Sequence, residues 1–268
     1  MSAEPTYETL IFEHGAGENE GIATITLNRP AKKNAMSAQM WDELLVVLRQ
    51  LSDGLGARVV VITGAGGDFC SGADLSGPAE EDRPHQLIAM RKVSEVALAF
   101  HRLPMPVIAK VRGVAVGAGC NLALGADLIV AAADARFSEI FAKRGLAIDF
   151  GASWLLPRLI GLHKAKELAF LADVISAGEA ERIGIVNRVV EPDALDGFVN
   201  DWARRIAAGP PLALRLTKRL LNEGSQMSMD QALEAEGWTQ TVTIGSTTDA
   251  VEAMRAFVDK RPPTFKGR

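Results

Sequence analysis

Hydrophobic and polar positions follow two rhythms along this chain, one suited to strands and one to helices. Residues 6–12 and 21–28 are rich in β-formers and flank a Gly/Glu/Asn segment, so they predict a hairpin. Asn28, Arg29 and Pro30 close the second strand, because proline cannot continue a central ladder. The rhythm then turns helical. Met40, Trp41, Leu44, Leu45, Val47, Leu48 and Leu51 recur at helical spacing over residues 38–51, and Ser37 is placed to cap them. Residues 59–63 are a continuous β-branched run, the pattern of a strand buried on both faces. A glycine-rich break follows at 64–68. The polar, Pro/Gly-bearing residues 76–84 then predict a mobile loop, and a helix over 85–101 must end before Pro104 and Pro106.

The stretch 106–126, PVIAKVRGVAVGAGCNLALGA, is the centre of the pattern. It predicts a buried strand at Val107, Ile108 and Ala109, then a turn of Gly113, Gly117, Ala118 and Gly119, then an apolar helix. Glycines where a strand becomes a helix let a ligand approach the backbone closely. The free N–H groups of a helix's first turn point out of such a corner and stabilise phosphate or a developing oxyanion. Taken alone, the same glycines serve equally for tight packing. A second small-residue corner, Gly72, Ala73, Asp74 and Leu75, follows Phe69, Cys70 and Ser71.

Beyond the centre, residues 127–132 predict a strand, 137–144 a helix and 145–151 an irregular segment, with Ser153 capping a helix toward Ile160. Ser176 and Glu179 form a capping-box pattern before a short helix ending near Gly184, and residues 185–190 predict a last strand. Helices alone follow, over 194–208, 211–223, 228–244 (with Ser228 and Gln231 as a second box) and 249–260. Alternation followed by helices alone predicts an α/β body at 1–191 and a helical region at 192–268.

Composition narrows the function. The chain of 268 residues is 48% hydrophobic and 23% charged, as in ordinary globular proteins. Its 29 basic and 33 acidic residues give a net charge of −4, which argues against nucleic acid as a general partner. The N-terminus shows no signal-peptide pattern, and no apolar segment is long enough to span a bilayer, so no membrane insertion is expected. Two cysteines, Cys70 and Cys120, fit a reduced cytoplasmic setting, and the histidines His14, His85, His101 and His163 lack metal-ligand spacing.

The quoted motifs together resemble the enoyl-CoA hydratase/isomerase family, the crotonase superfamily. The match is carried by Asn28, Arg29 and Pro30 with Asn34 and Ala35; FCSGADL from Phe69; PVIA from Pro106 leading into GVAVGAGC from Gly113; and Ala135, Arg136 and Phe137. It continues through Gly145 and Leu146, LPRL from Leu156, Ile175 to Ala177, and the tail from Phe257 to Arg268. The resemblance implies a crotonase-like (ClpP/crotonase) α/β spiral of β-β-α units, closed by a helical region that assembles homotrimers or hexamers made of two trimers. It implies an acyl-CoA substrate, with coenzyme A entering as part of the thioester, and neither metal nor redox cofactor. It places the thioester carbonyl against the backbone N–H groups of Ala73 and Ala118, with Gly72, Asp74 and Gly117 around them. Enolate charge collects on that oxygen, so two preorganised donors stabilise it. Lys32 and Lys260 are the implied coenzyme A contacts, Lys260 toward a neighbouring subunit.

The same resemblance sharpens the reaction. Hydratases of this family use two glutamates; the matching positions here are Asn121 and Phe141. Asparagine can orient a water or the acyl group but cannot shuttle a proton at neutral pH, and phenylalanine does neither. Asp149 falls where some isomerase relatives carry a catalytic aspartate. Ile148, Phe150 and Phe141 beside it predict a raised pKa. One carboxylate suffices to move a double bond, whereas hydration also has to manage a water. The alternative role for Asp149 is to cap the helix near Ser153. Glu139 is a competing carboxylate that reads as solvated surface, and Asp74 as a loop brace bonded to backbone. A double-bond isomerase is the leading expectation. A hydratase using Asn121 or Glu139, and a binding protein of the same fold without chemistry, are the rivals.

Overall fold

The computed structural model describes residues 6–54, 56–75 and 85–268; the loop expected at 76–84 lies outside the described residues. The N-terminal hairpin forms as β1 (Leu10–His14) and β2 (Ile22–Leu27), antiparallel, with Leu10 opposite Leu27 and His14 opposite Ala23. α1 (Ala38–Ser52) follows, and the Ser37 hydroxyl accepts from the Met40 N–H as its cap. The β-branched run becomes β3 (Val59–Gly64), parallel to β2 on one side and to β4 (Val107–Val111) on the other. With β6 (Leu128–Ala132) and β9 (Arg188–Val190), the large sheet has the order β1-β2-β3-β4-β6-β9.

Both faces of this sheet are covered, which is why β3 shows no polar alternation. Val60 and Ile62 face a core with Met40, Leu44, Leu48 and Phe100, whereas Val59 and Val61 face a second core. That second core is closed by α7 (Leu195–Ala207) through Leu195, Val199, Ala203 and Ala207. These four recur at spacings of four residues, the stripe that one face of a helix lays on a sheet.

A second, smaller sheet forms. It consists of β5 (Val114–Val116), β7 (Arg136–Ser138) and β8 (Ile175–Ser176), extended by a parallel bridge between Cys70 and Ala115. β4 and β6 each run on into a strand of this smaller sheet, β5 and β7. That is the repeating unit of a spiral. Here the structure departs from the expected elements. Gly113, at φ 59°, turns β4 into the extra strand β5, and the expected helix follows it from Ala118. Residues 137–144 are not one helix: β7 takes 136–138 and a single 3-10 segment, Ile140–Arg144, follows. Pairing with β5 overrides the helical pattern there, since Arg136, Phe137 and Ser138 lie in register with Val114, Ala115 and Val116.

α2 (Gln86–His101) is capped by His85, which accepts from the Leu87 N–H. α4 (Ala152–Ile160) begins one residue before the expected cap. Gly151, at φ 84°, is its N-cap, and Ser153 lies inside the helix. α5 (Leu162–Leu171) follows across Gly161 and was not legible in the pattern. α6 (Ala177–Arg182) has half a capping box, because Ser176 accepts from the Glu179 N–H while the Glu179 carboxylate pairs with Arg182. α8 (Pro211–Gly224), α9 (Met229–Gly245) and α10 (Thr248–Val258) complete the chain, and the Ser228/Gln231 box at α9 is whole. Several internal ties bind this helical region to the body, two of them through Lys218 and Arg58. Lys218 on α8 reaches Asp127 at 2.7 Å and the Met105 carbonyl at 3.0 Å, and Arg58 donates to the carbonyls of Ala207 and Phe265. Among the described residues no helix is long and apolar enough to cross a membrane.

Candidate active site

α3 (Ala118–Leu124) is wholly buried, so its first turn faces other parts of the chain instead of bulk water. What lies against that turn is the first corner. A methyl group on Gly119 would stand 2.4 Å from the Cys70 carbonyl oxygen and 2.7 Å from the Cys70 Sγ. Only hydrogen lets the helix come this close. A methyl on Gly72, at φ 99°, would meet the Val116 carbonyl at 2.9 Å and the Ala118 nitrogen at 3.7 Å. Gly72 and Ala118 are therefore neighbours in space, 46 positions apart in sequence. Cys70 locks the two segments in register, donating its N–H to Val114 and accepting from Val116.

The backbone around Ala73 is pinned on both sides: the Gly72 carbonyl accepts from Met36 and the Asp74 N–H donates to Met36. Among the described residues neither the Ala73 nor the Ala118 N–H donates to a protein oxygen outside its own element. Asp74 braces the corner differently from expectation, pairing its carboxylate with Arg29 at 2.8 Å, and Arg29 also donates to the Ala35 carbonyl. Arg29 was quoted only as part of a motif; its bracing role had no sequence signal. Lys32 is exposed in the 3-10 segment Pro30–Lys32, and its carbonyl accepts from the Ser71 hydroxyl, so it lies beside the first corner. Lys260 is exposed just beyond α10, and among the described residues no hydrogen bond or ion pair joins it to either corner.

Phe141 is buried and places its ring 3.8 Å from where a Gly117 methyl would stand, so it walls the second corner. Asn121 is fully buried on α3. Its Nδ2 donates to the Asp149 carbonyl at 3.1 Å, and its Oδ1 has no partner. Asp149 is half-buried in the segment before α4. Its carboxylate does not cap that helix: the Ala152 N–H bonds the Asp149 backbone carbonyl, and no side chain caps Gly151. The Asp149 Oδ1 is buried without a partner. Burial pushes its carboxyl up, opposed by the nearby Asn121 amide.

Glu139 overturns its expected place at the surface. It is 2% exposed, and neither carboxylate oxygen has a hydrogen-bond partner among the described residues. Burial pushes its carboxyl up to about 7; the Cys120 thiol and the Asn121 amide pull it down, and the Asp149 charge pushes it further up. The residue was misplaced because the segment was read as a helix. As the residue that leaves β7, it turns inward under α3, beside Cys120 and Asn121. Its only signal was the apolar company of Ile140 and Phe141. A buried carboxyl beside a half-buried one, both pushed up by burial, is an arrangement suited to proton transfer.

A cleft of about 820 Å³ opens at the far end of α3 between α2, α4 and α8. Phe150 and Gly151, which follow Asp149, stand at its edge, with Ala97, Leu98, Leu103 and Trp154 farther along. On α2, Val96 is core, Val93 packs on it and Ala97 faces the cleft. Among the described residues no group of three or more His, Cys, Asp or Glu is placed to hold a metal ion.

The sequence profile of the enoyl-CoA hydratase/isomerase family matches residues 17–268. A probable enoyl-CoA hydratase of Rhodobacter capsulatus is 36% identical over 98% of this chain and all of its own length. The 1,2-epoxyphenylacetyl-CoA isomerase of Escherichia coli is 36% identical over 93% of this chain and 96% of its own. Among solved structures, a putative enoyl-CoA hydratase of Streptomyces coelicolor superposes with a TM-score of 0.89 at 38% identity, covering 100% of this chain and 98% of that one. The likeness runs nearly end to end in sequence and in fold, and the chain is an enzyme of the enoyl-CoA hydratase/isomerase family with the crotonase fold.

Proposed function

We propose that this enzyme shifts a carbon–carbon double bond in an acyl-CoA thioester, using the Ala73 and Ala118 N–H groups as an oxyanion hole and Asp149 as the proton carrier. One observation carries the reading. The half-buried Asp149 keeps an unpartnered carboxylate oxygen, and its backbone carbonyl accepts from Asn121 on the helix whose first turn meets the Gly72 corner. Asp149 takes a proton from the carbon next to the thioester carbonyl of a 3-enoyl-CoA. The electron pair passes into a dienolate whose charge rests on the carbonyl oxygen, between the two donors. Asp149 then returns the proton to C4, leaving a 2-enoyl-CoA; no water enters and no group is lost. The two N–H groups stabilise the oxyanion by several kcal/mol in such arrangements. Phe141 excludes water from the second corner. Lys32 is placed for the phosphates of coenzyme A. The exposed Trp238, Phe257 and Val258 on α9 and α10 support assembly into trimers, where Lys260 reaches a neighbour's ligand.

Hydration is the second reading, favoured by the presence of Glu139 as another buried carboxyl near Asn121. Purified enzyme offered a 2-enoyl-CoA and a 3-enoyl-CoA separates the two, with hydration and migration followed in parallel. Migration of the 3-enoyl double bond at rates well above hydration is the expected result. Rapid hydration without migration would sink the isomerase reading.

A further inference from the structure

Glu139 has no role in the single-carboxylate scheme, yet burying it unpaired is costly. No cation pairs with it among the described residues. The titratable groups whose influence reaches it are Cys120 on α3 and Asp149 in the segment before α4. The Cys120 thiol is itself pushed well above its usual range, by burial first and by the Glu139 charge second, so it stays neutral. Asn121 stands between the two carboxyls: its amide lowers the pKa of both, and its Oδ1 lacks a partner. Two carboxyls coupled in this way lose their protons as a pair, in two steps. Glu139 is much the more buried, so the proton the pair retains rests there and Asp149 is the ionised member.

We propose that Glu139 is a positioning residue for this site: retained in its neutral form under the first turn of α3, it keeps Asp149 the proton acceptor and keeps a second negative charge away from the forming enolate. The proposal rests on the isomerase reading. A neutral Glu139 leaves the enolate oxygen at Ala118 and the Asp149 carboxylate as the negative groups of the cycle. An ionised Glu139 opposes both enolate formation and, by raising the affinity of Asp149 for its proton, the return of that proton to C4.

The test is the pH dependence of double-bond migration in wild type, E139Q and D149N. Glutamine is nearly isosteric and permanently neutral, so it mimics the proposed working form. Wild-type kcat should fall about tenfold or more between about pH 7 and pH 9, and E139Q should hold its kcat over that range while keeping the acid limb. An alkaline fall that persists unchanged in E139Q overturns the positioning role. So does a folded E139Q that is inactive at every pH, since Glu139 would then transfer a proton itself. D149N that retains migration overturns Asp149 as the proton carrier instead, whatever E139Q does, whereas wild type that hydrates without migration overturns the isomerase reading itself. Infrared titration of the wild type gives a readout independent of any variant's folding. A protonated-carboxyl band present near pH 6 and lost between pH 6 and 8 is expected, and absence of such a band near pH 6 overturns the proposal.

Discussion

At the scale of single residues, the site depends on hydrogen atoms where other residues carry carbon. Gly119→Ala drives a methyl into the Cys70 carbonyl, whose backbone is held by Val114 and Val116 and cannot retreat. We expect about 1–3 kcal/mol of lost stability in urea unfolding, as for other overpacked cores. Migration should be lost disproportionately, because the methyl parts the two corners. Glu139 also has a stability signature. Its carboxyl titrates at 4.5 when solvated and about 7 in the fold, so the native state holds the proton more tightly. Stability is therefore greatest below about pH 4.5 on account of this group, and it declines as pH rises through 7. E139Q removes the penalty. It should unfold at higher urea than wild type at pH 8, by an amount of at most roughly 3 kcal/mol, with no such gain at low pH. Equal midpoints at pH 8 would show that Glu139 is not buried as a titrating group. The identity of Asn121 and Phe141 was legible in the sequence, since the resemblance supplied positions to compare. The burial of Glu139 was not, because it depends on which way the chain leaves β7.

At the scale of elements, patterns with one period were readable and patterns set by pairing were not. β3, α1, α2 and α7 to α10 follow the sequence because burial alone decides them: both faces of β3 are covered, and one stripe of each amphipathic helix is apolar. β5 and β7 hold three residues each, too few for a period, and exist because they pair with each other and with Cys70. The start of α4 was missed by two residues because a left-handed Gly151 took the place of a hydroxyl cap. The link between α8 and the body gives a prediction at this scale. The Lys218 side chain is nearly enclosed, and burial pushes its ammonium below the usual lysine range, opposed by the Asp127 carboxylate. Asp127 in turn accepts from the Val107 N–H at the start of β4. Lys218→Ala strips this cation from an Asp127 that is open to solvent and should cost about 1 kcal/mol in thermal or chemical unfolding. An unchanged midpoint would mean that α8 is held by its apolar face alone.

At the scale of the whole molecule, the spiral brings together residues distant in sequence while leaving one side uncovered. Gly72 meets Ala118, and Asn121 meets Asp149, because each turn of the spiral stacks its second strand beside the previous one. The outer face of α9 and α10 remains apolar, with Trp238 68% and Phe257 81% exposed, more than a lone subunit leaves bare without reason. Trp238→Asp combined with Phe257→Asp should convert trimers to monomers in sedimentation velocity; a wild-type monomer would contradict the assembly reading. The most direct test of the account is the initial rate at which D149N moves the double bond of a 3-enoyl-CoA, relative to wild type. Loss of a proton carrier predicts a rate lower by about 10²-fold or more with thioester binding retained, and a rate within a few-fold of wild type would contradict it.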